Sequence, residues 1–485
     1  MLEHIKSSGW LRDANFINGA WVAADDRRVH GVDDPASGKS LGSIAWSGAA
    51  ETRRAIDAAQ AAFADWSMTT AAERAGFLLK IAAIVRQNLD DLAGLLTLEQ
   101  GKPLAEARAE MKLGADYIQW FAEEARRING EIIPSPWKGR QILVTCEPVG
   151  VVGAISPWNF PFSMLARKIA PALAAGCTVV AKPSEFTPYC GLVWGVLAEK
   201  AGLPAGVVNV VTGDAAAIGG ALVADARVRK LTFTGSTRVG KLLYAQSAAT
   251  MKKLSLELGG NAPFIVFDDA DIEQAVEGAV AAKFRNSGQT CICANRIYVQ
   301  DGIYDEFARR LSERVAALKV GNGFVAGVQQ GPLINAAVVE KVEAHVADAQ
   351  AKGGRILAGG RRHALGGTFF EPTVIADATA GMLIAHEETF GPVAALFRFH
   401  DEQQVIDAAN AEPFGLAAYF YSRDLARAFR VARALDSGMV GVNEGLVTTE
   451  VAPFGGVKDS GIGREGSSHG IDEYLSLKYV SLGGL

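Results

Sequence analysis

Cysteine and histidine are scarce in this chain, at five and seven in 485 residues. The cysteines, Cys146, Cys177, Cys190, Cys291 and Cys293, are too few and too scattered for a disulfide scaffold. Cys291 and Cys293 form a C-x-C in "FRNSGQTCICANR". That pair lacks the spacing of a structural zinc site and has no histidine near it, so no metal is expected. Charge of one sign is lacking too. A formal net charge of −5 gives no general reason to expect nucleic acid or an anionic membrane as a partner. No long apolar run survives, because the most apolar region, 149–181, is broken by Pro157, Asn159, Pro161, Arg167 and Lys168. The first residues, "MLEHIKSSGWLRD", have no apolar core of a secretory signal. These absences predict a cytoplasmic protein. The dinucleotide fingerprint G-x-G-x-x-G is absent as well.

What is present reads as globular α/β. Hydrophobic residues make up 49% of the chain, and 53 glycines suit a fold with many tight strand–helix turns. The length exceeds what one core usually organises, so two or three lobes are expected. In "AETRRAIDAAQAAFADW" (50–66), Ile56, Ala59, Phe63 and Trp66 recur at the spacing of an amphipathic helix. Helical patterns continue to residue 128 with a break at "EQGKP" (99–103), and extended, proline-punctuated chain follows. From 149, "VGVVGAIS", "TVVAKPSE", "GVVNVV" and "KLTFTG" read as buried strands. They alternate with helices in "MLARKIAPALAAG", over 188–201, over 214–224 and from 236. A second alternation follows, with helix 271–286, strand "RIYVQ" and helix 303–318. Short apolar runs between helices predict parallel sheets covered on both faces.

Several residues suit chemistry. "FTGSTRVG" runs a strand through Gly235 and Ser236 into a helix, whose first N–H groups and dipole suit a phosphate. In "KPSE", Glu185 suits both hydroxyls of an adenosine ribose and Lys182 stands beside it. A reactive cysteine needs its thiol deprotonated, and with no histidine nearby Glu257 in "LELGGNAP" is the candidate base. Sulfur attack on a carbonyl builds an oxyanion, and Asn159, held between prolines in "PWNFP", is a candidate donor. Each also has a structural explanation: a turn, a solvated acid, a core thiol.

Taken in order, "EQGKP", "PWNFP", "KPSE", "FTGST", "LELGGNAP", "GQTCICANR", "EETFGP" and "PFGGVKDSGIGREG" span nearly the whole chain and resemble the aldehyde dehydrogenase superfamily. The resemblance implies a Rossmann-type parallel-sheet cofactor domain and an α/β catalytic domain, and oxidation of an aldehyde to an acid with NAD(P). It implies Cys291 as nucleophile, Asn159 as oxyanion donor and Glu257 as the base that activates water. Cofactor contacts are implied at Trp158, Lys182, Ser184, Glu185, Gly235, Ser236, Glu388 and Phe390. Glu185 disfavours a 2′-phosphate, so NAD is expected ahead of NADP. The expected organisation is 1–129 with 149–258 for the cofactor, 259–440 for catalysis, and 441–470 crossing back to the cofactor domain. Segments 130–148 and 471–485 are expected to join subunits into a homo-oligomer, a tetramer built as a dimer of dimers.

"KFRNSGQTCICANR", "VGVNEGLVTTEVAPFGG" and "GREGSSHGIDEYLSLKYV" look like the succinate-semialdehyde dehydrogenase subfamily in particular. Arg167, Arg285 and a hydroxyl residue would then hold the substrate's distal carboxylate, a task that guanidinium forks suit. The hydroxyl is usually a serine, and the match here is Thr448, with Thr449 its neighbour. Succinate semialdehyde is the first expected substrate, then glutarate semialdehyde or a broader range of ω-carboxy and aliphatic aldehydes. Some members with this C-x-C are switched by a disulfide, so Cys291 and Cys293 are a candidate redox pair; a packed, reduced Cys293 is the other reading. In extended chain the two side chains face one way, and a bridge would require the loop to bend. A non-catalytic member would be expected to lack Cys291, Glu257 or Asn159, and Glu257 argues against transfer of the acyl group to coenzyme A.

Overall fold

The computed structural model describes residues 2–484. Strands Val208–Val210, Thr178–Lys182, Val151–Ile155, Val228–Thr234 and Lys253–Glu257 lie side by side and parallel in that order. Asn15–Ile17 and Ala20–Val22 extend one edge, and Gly461–Ile462 pairs antiparallel at the other. Strand order reverses direction between Val151–Ile155 and Val228–Thr234, the switch point at which doubly wound sheets bind ligands. Val151–Ile155 and Thr178–Lys182 are buried almost throughout, which is why they read as continuous apolar runs.

The helix after Val151–Ile155 spans Pro161–Ala175, begins with Pro161 and stops at Gly176 in left-handed conformation, φ +96°. All 15 of its residues are buried, so its polar members Ser163, Arg167 and Lys168 must find partners or face a cavity.

The second sheet runs Arg355–Ala358, Thr373–Ala378, Val393–Phe399, Ala294–Gln300, Ala262–Val266, Ala417–Tyr421, Met439–Val442. It is parallel except for its first strand. Only Leu258–Asn261 separate Glu257, at the end of the first sheet, from Ala262 in the second, so the two sheets meet at Gly259-Gly260. A third, antiparallel sheet joins Glu131–Ile133, Arg140–Pro148 and Leu475–Gly483 and leaves Ile132, Leu477 and Tyr479 exposed. Among the described residues no helix is long and apolar enough to cross a membrane.

Candidate active site

Four strand ends of the first sheet deliver Trp158 and Asn159, Ser184 and Glu185, Gly235 and Ser236, and Leu258 and Gly259 to one edge. A cleft of about 230 Å³ opens there, and Trp158, Asn159, Gly235, Ser236, Glu388 and Phe390 line it together with Cys291. Phe390 takes φ +55°, an uncommon conformation for a bulky residue, and meets Trp158 edge-on with ring centroids 5.4 Å apart. Burial pushes the Glu388 carboxyl up to about 7. Its Oε1 takes only a long bond, 3.4 Å, from the Gly260 N–H, so most of its acceptor capacity is free. Gly259 and Gly260 permit this closeness. A Cβ on Gly260 would stand 2.4 Å from the Cys291 carbonyl oxygen, and one on Gly259 would stand 3.0 Å from the Glu388 carboxylate. Glycine walls, a free carboxylate and the start of helix Thr237–Ser247, capped by Ser236 Oγ, fit the nicotinamide end of a dinucleotide.

Lys182, Ser184 and Glu185 do not line this cleft. Their strand is one place further from the switch point, and Glu185 lines a separate cleft of about 500 Å³ beside loop 30–38. Lys182 Nζ donates to Glu185 Oε2 at 3.0 Å and helps hold that carboxyl below its usual range, against the opposing effect of burial. Ser184 is buried and its Oγ accepts from the Phe186 N–H.

Cys291 lines two spaces, the cleft and a smaller cavity behind it. Burial, then the Glu388 and Glu257 carboxylates, push its thiol up to about 12, while Arg167 and Arg285 pull it down. The resting thiol is therefore protonated at neutral pH and needs a base. Asn159 faces the cleft with one N–H donating to the Gln289 carbonyl at 3.0 Å, which leaves its second N–H free. Its own carbonyl accepts from Lys102 Nζ at 2.7 Å and from Asn286 at 3.2 Å. Lys102 is fully buried and pairs with Glu110 at 2.7 Å, and Glu110 in turn accepts the Phe162 and Ser163 N–H groups. Asn286 and Ser287 are left-handed at φ +52° and +55° on the approach to Cys291.

The cavity behind Cys291, about 20 Å³, is lined by Ser163, Arg167, Arg285, Thr448 and Phe454 among others. Arg167 lies between Tyr117 and Phe454, its guanidinium carbon 4.8 and 4.3 Å from their ring centres. Its Nη1 is 3.8 Å from Glu465, and Nε and Nη1 donate to nothing. Arg285 stands over Phe160 at 5.4 Å. The buried Thr448 Oγ1 is unpartnered, whereas Thr449 Oγ1 donates to Glu450 and its carbonyl accepts from Tyr117.

Glu257 lines neither space. Its carboxylate turns toward loop 455–465, where a Cβ on Gly455 would stand 2.8 Å from Oε1, and both its oxygens are unpartnered. Burial and the Glu465 charge hold its carboxyl well above the usual range, against Lys168, Arg167 and Arg464. Lys168 Nζ bonds Glu465 at 2.5 Å and Thr234 at 2.7 Å. Sequence reasoning missed Lys102, Glu110, Ser163, Lys168, Lys341 and Glu465. Lys341, which donates to the Glu388 carbonyl at 2.5 Å, comes from a helix whose sequence carries no local signal for it. Ser163, four residues before Arg167, had a helical signal that could have been read.

The C-x-C segment is not extended. Cys293 N–H donates to the Thr290 carbonyl at 3.2 Å, closing a turn over 290–293. Both cysteines are free, and the buried Cys293 thiol donates to the Lys283 carbonyl at 3.2 Å.

The ligand-binding edge of a doubly wound sheet thus faces a cysteine that lines two spaces, the arrangement expected of an α/β oxidoreductase. The chain belongs to the aldehyde dehydrogenase family, whose model matches residues 21–480. It is 57% identical over 485 residues to the 3-sulfolactaldehyde dehydrogenase of Pseudomonas putida, covering 100% of both chains. It is 55% identical to a glutarate-semialdehyde dehydrogenase of Pseudomonas aeruginosa, covering 99% of this chain and 100% of that one. It is also 54% identical to the NADP(+)-linked succinate-semialdehyde dehydrogenase of Escherichia coli K12, covering 99% of each. The crystal structure of the Burkholderia pseudomallei succinate-semialdehyde dehydrogenase superposes with a TM-score of 0.97 at 57% identity, covering 98% of each chain. The protein is thus an aldehyde dehydrogenase, of a family that uses NAD(P).

Proposed function

We propose that this enzyme oxidises aldehydes carrying an anionic group at the far end, succinate semialdehyde first and glutarate semialdehyde next. The observation that carries this reading is the cavity behind Cys291, where a buried guanidinium with two unpartnered N–H positions, a second arginine and an unpartnered hydroxyl surround the space beyond the nucleophile. The relatives fit it, being named for aldehydes with a carboxylate or a sulfonate. The overall change is RCHO + NAD(P)⁺ + H₂O → RCOO⁻ + NAD(P)H + 2H⁺.

Cys291, once deprotonated, attacks the aldehyde carbon. The free N–H of Asn159 and the backbone N–H of Cys291 receive the oxyanion. Trp158, Gly235, Ser236, Glu388 and Phe390 would hold the nicotinamide end of NAD(P), which would supply the hydride acceptor there, and Cys291 would keep the acyl group as a thioester. Glu257 then takes a proton from water, and its raised proton affinity suits a base. From its place beside Gly455, Glu257 reaches the thioester by rotating its side chain. Arg167 and Arg285 hold the substrate's anion, joined by Thr448, whose extra methyl narrows the cavity. Lys182, Ser184 and Glu185 serve the adenosine end, and Glu185 favours NAD over NADP although Lys182 softens the preference. The exposed apolar residues of the third sheet are proposed to join subunits into a homo-oligomer, a dimer of dimers, which mass in solution checks.

The test is kcat/KM for succinate semialdehyde beside butyraldehyde, with NAD and with NADP, in the wild type and in Arg285→Ala. A preference for the anionic aldehyde of about 10³, collapsing in the variant, is expected. Equal rates for the two aldehydes sink the anion reading, and a higher kcat/KM with NADP reverses the cofactor order.

A further inference from the structure

The cavity behind Cys291 holds more donors than a carboxylate uses. Ser163 and Arg167 stand four residues apart on helix Pro161–Ala175, so they share one face, and both line the cavity. Ser163 is 1% exposed and its Oγ is unpartnered. It does not bond back to its own helix, and Glu110 beneath it accepts from Lys102 and from the backbone N–H groups of Phe162 and Ser163, not from the Ser163 hydroxyl. Arg167 is 3% exposed with Nε and Nη1 unpartnered, Thr448 Oγ1 is unpartnered and buried, and Arg285 stands on the same cavity. A carboxylate offers two oxygens in one plane. Two guanidinium groups and the Thr448 hydroxyl suffice to hold them. The Ser163 hydroxyl, on the Arg167 helix face, is then left without a partner, a state that buried polar groups avoid.

We propose that the cavity also accepts a sulfonate head group, with Ser163 as the donor to its third oxygen and thus a specificity-determining residue. This rests on the reading that the anionic end of the aldehyde lies in this cavity. A sulfonate two methylenes from the aldehyde carbon matches succinate semialdehyde bond for bond along the chain and differs only in its tetrahedral, three-oxygen head. It carries a single negative charge. Glu465, 3.8 Å from Arg167, disfavours the second charge that a phosphonate or phosphate would bring. The head group keeps all its bonds, and only the aldehyde carbon is oxidised, with the same balance as above.

The experiment compares kcat/KM for 3-sulfopropanal, succinate semialdehyde and butyraldehyde in the wild type and Ser163→Ala. Alanine is a good helix former, so the variant keeps the helix. Expected are turnover of 3-sulfopropanal at least about a hundredfold above butyraldehyde, and an about tenfold fall in the sulfonate-to-carboxylate ratio in S163A. An unchanged ratio in S163A overturns the inference and leaves the anion reading standing. So does a wild type that oxidises succinate semialdehyde but not 3-sulfopropanal. Equal use of butyraldehyde and both anionic aldehydes overturns the two together.

Discussion

The two spaces that meet at Cys291 are built on different plans. The cleft is made of strand ends, glycines and a helix start; Ser236 caps its helix and Lys341 holds the Glu388 main-chain carbonyl, while the Glu388 carboxylate and Asn159 keep free capacity for a ligand. The cavity is made of side chains from a fully buried helix and from loops, and its polar atoms at Ser163, Arg167 and Thr448 are unpartnered. Leaving such a group unsatisfied costs about 1–3 kcal/mol each, which a ligand or a bound water offsets. The backbone-built side thus suits a group common to a whole family, and the side-chain side suits one substrate. Changing the second should redirect the enzyme, and changing the first should stop it.

That contrast can be broken at Glu257, which lines neither space. Glu257→Gln should lower kcat by about 10²–10³ for anionic and neutral aldehydes alike. The sign of its pH dependence follows from its raised carboxyl: a base acts ionised, so kcat falls as pH drops through that raised value, and the variant loses this limb. A kcat–pH profile unchanged by the substitution would remove Glu257 from the chemistry.

Lys102 sharpens the contrast, because it braces the wall the two spaces share. Lys102→Met leaves Glu110 buried without its cation, and a loss of about 3–5 kcal/mol in urea unfolding is expected. It should lower kcat for every aldehyde through Asn159, with little change in the anionic-to-neutral preference. A changed preference would place Lys102 on the substrate side only.

The smallest effect is expected at Cys293, on the far side of the turn. Cys293→Ala should cost about 1 kcal/mol for the lost burial and thiol bond, with turnover kept. If the pair is a redox switch, peroxide inactivates the wild type and dithiothreitol restores it, whereas the variant is not restored. Identical recovery in both would discard the switch.

Much of the frame was legible. Buried parallel strands show as unbroken apolar runs, as at "VGVVGAIS" and "TVVAKPSE", and Gly176 closed its helix as its place after an apolar periodic run foretold. The expected extended geometry of Cys291–Cys293 failed, because a Thr290–Cys293 hydrogen bond overrides local alternation. Lys102 and Glu110 were illegible, since a buried ion pair leaves no mark on the residues beside it.

By itself the sequence determined the α/β class, the motifs in their order, and thereby the family and the cysteine, because periodicity and turn residues are local properties of the chain. Only the tertiary structure decided that the Glu257 carboxylate packs against Gly455, that Glu185 lines a different cleft from Glu388, and that Ser163 joins Arg167 in an unsatisfied cavity. Those outcomes depend on which side chains from distant segments meet, and on what is left without a partner once they have packed.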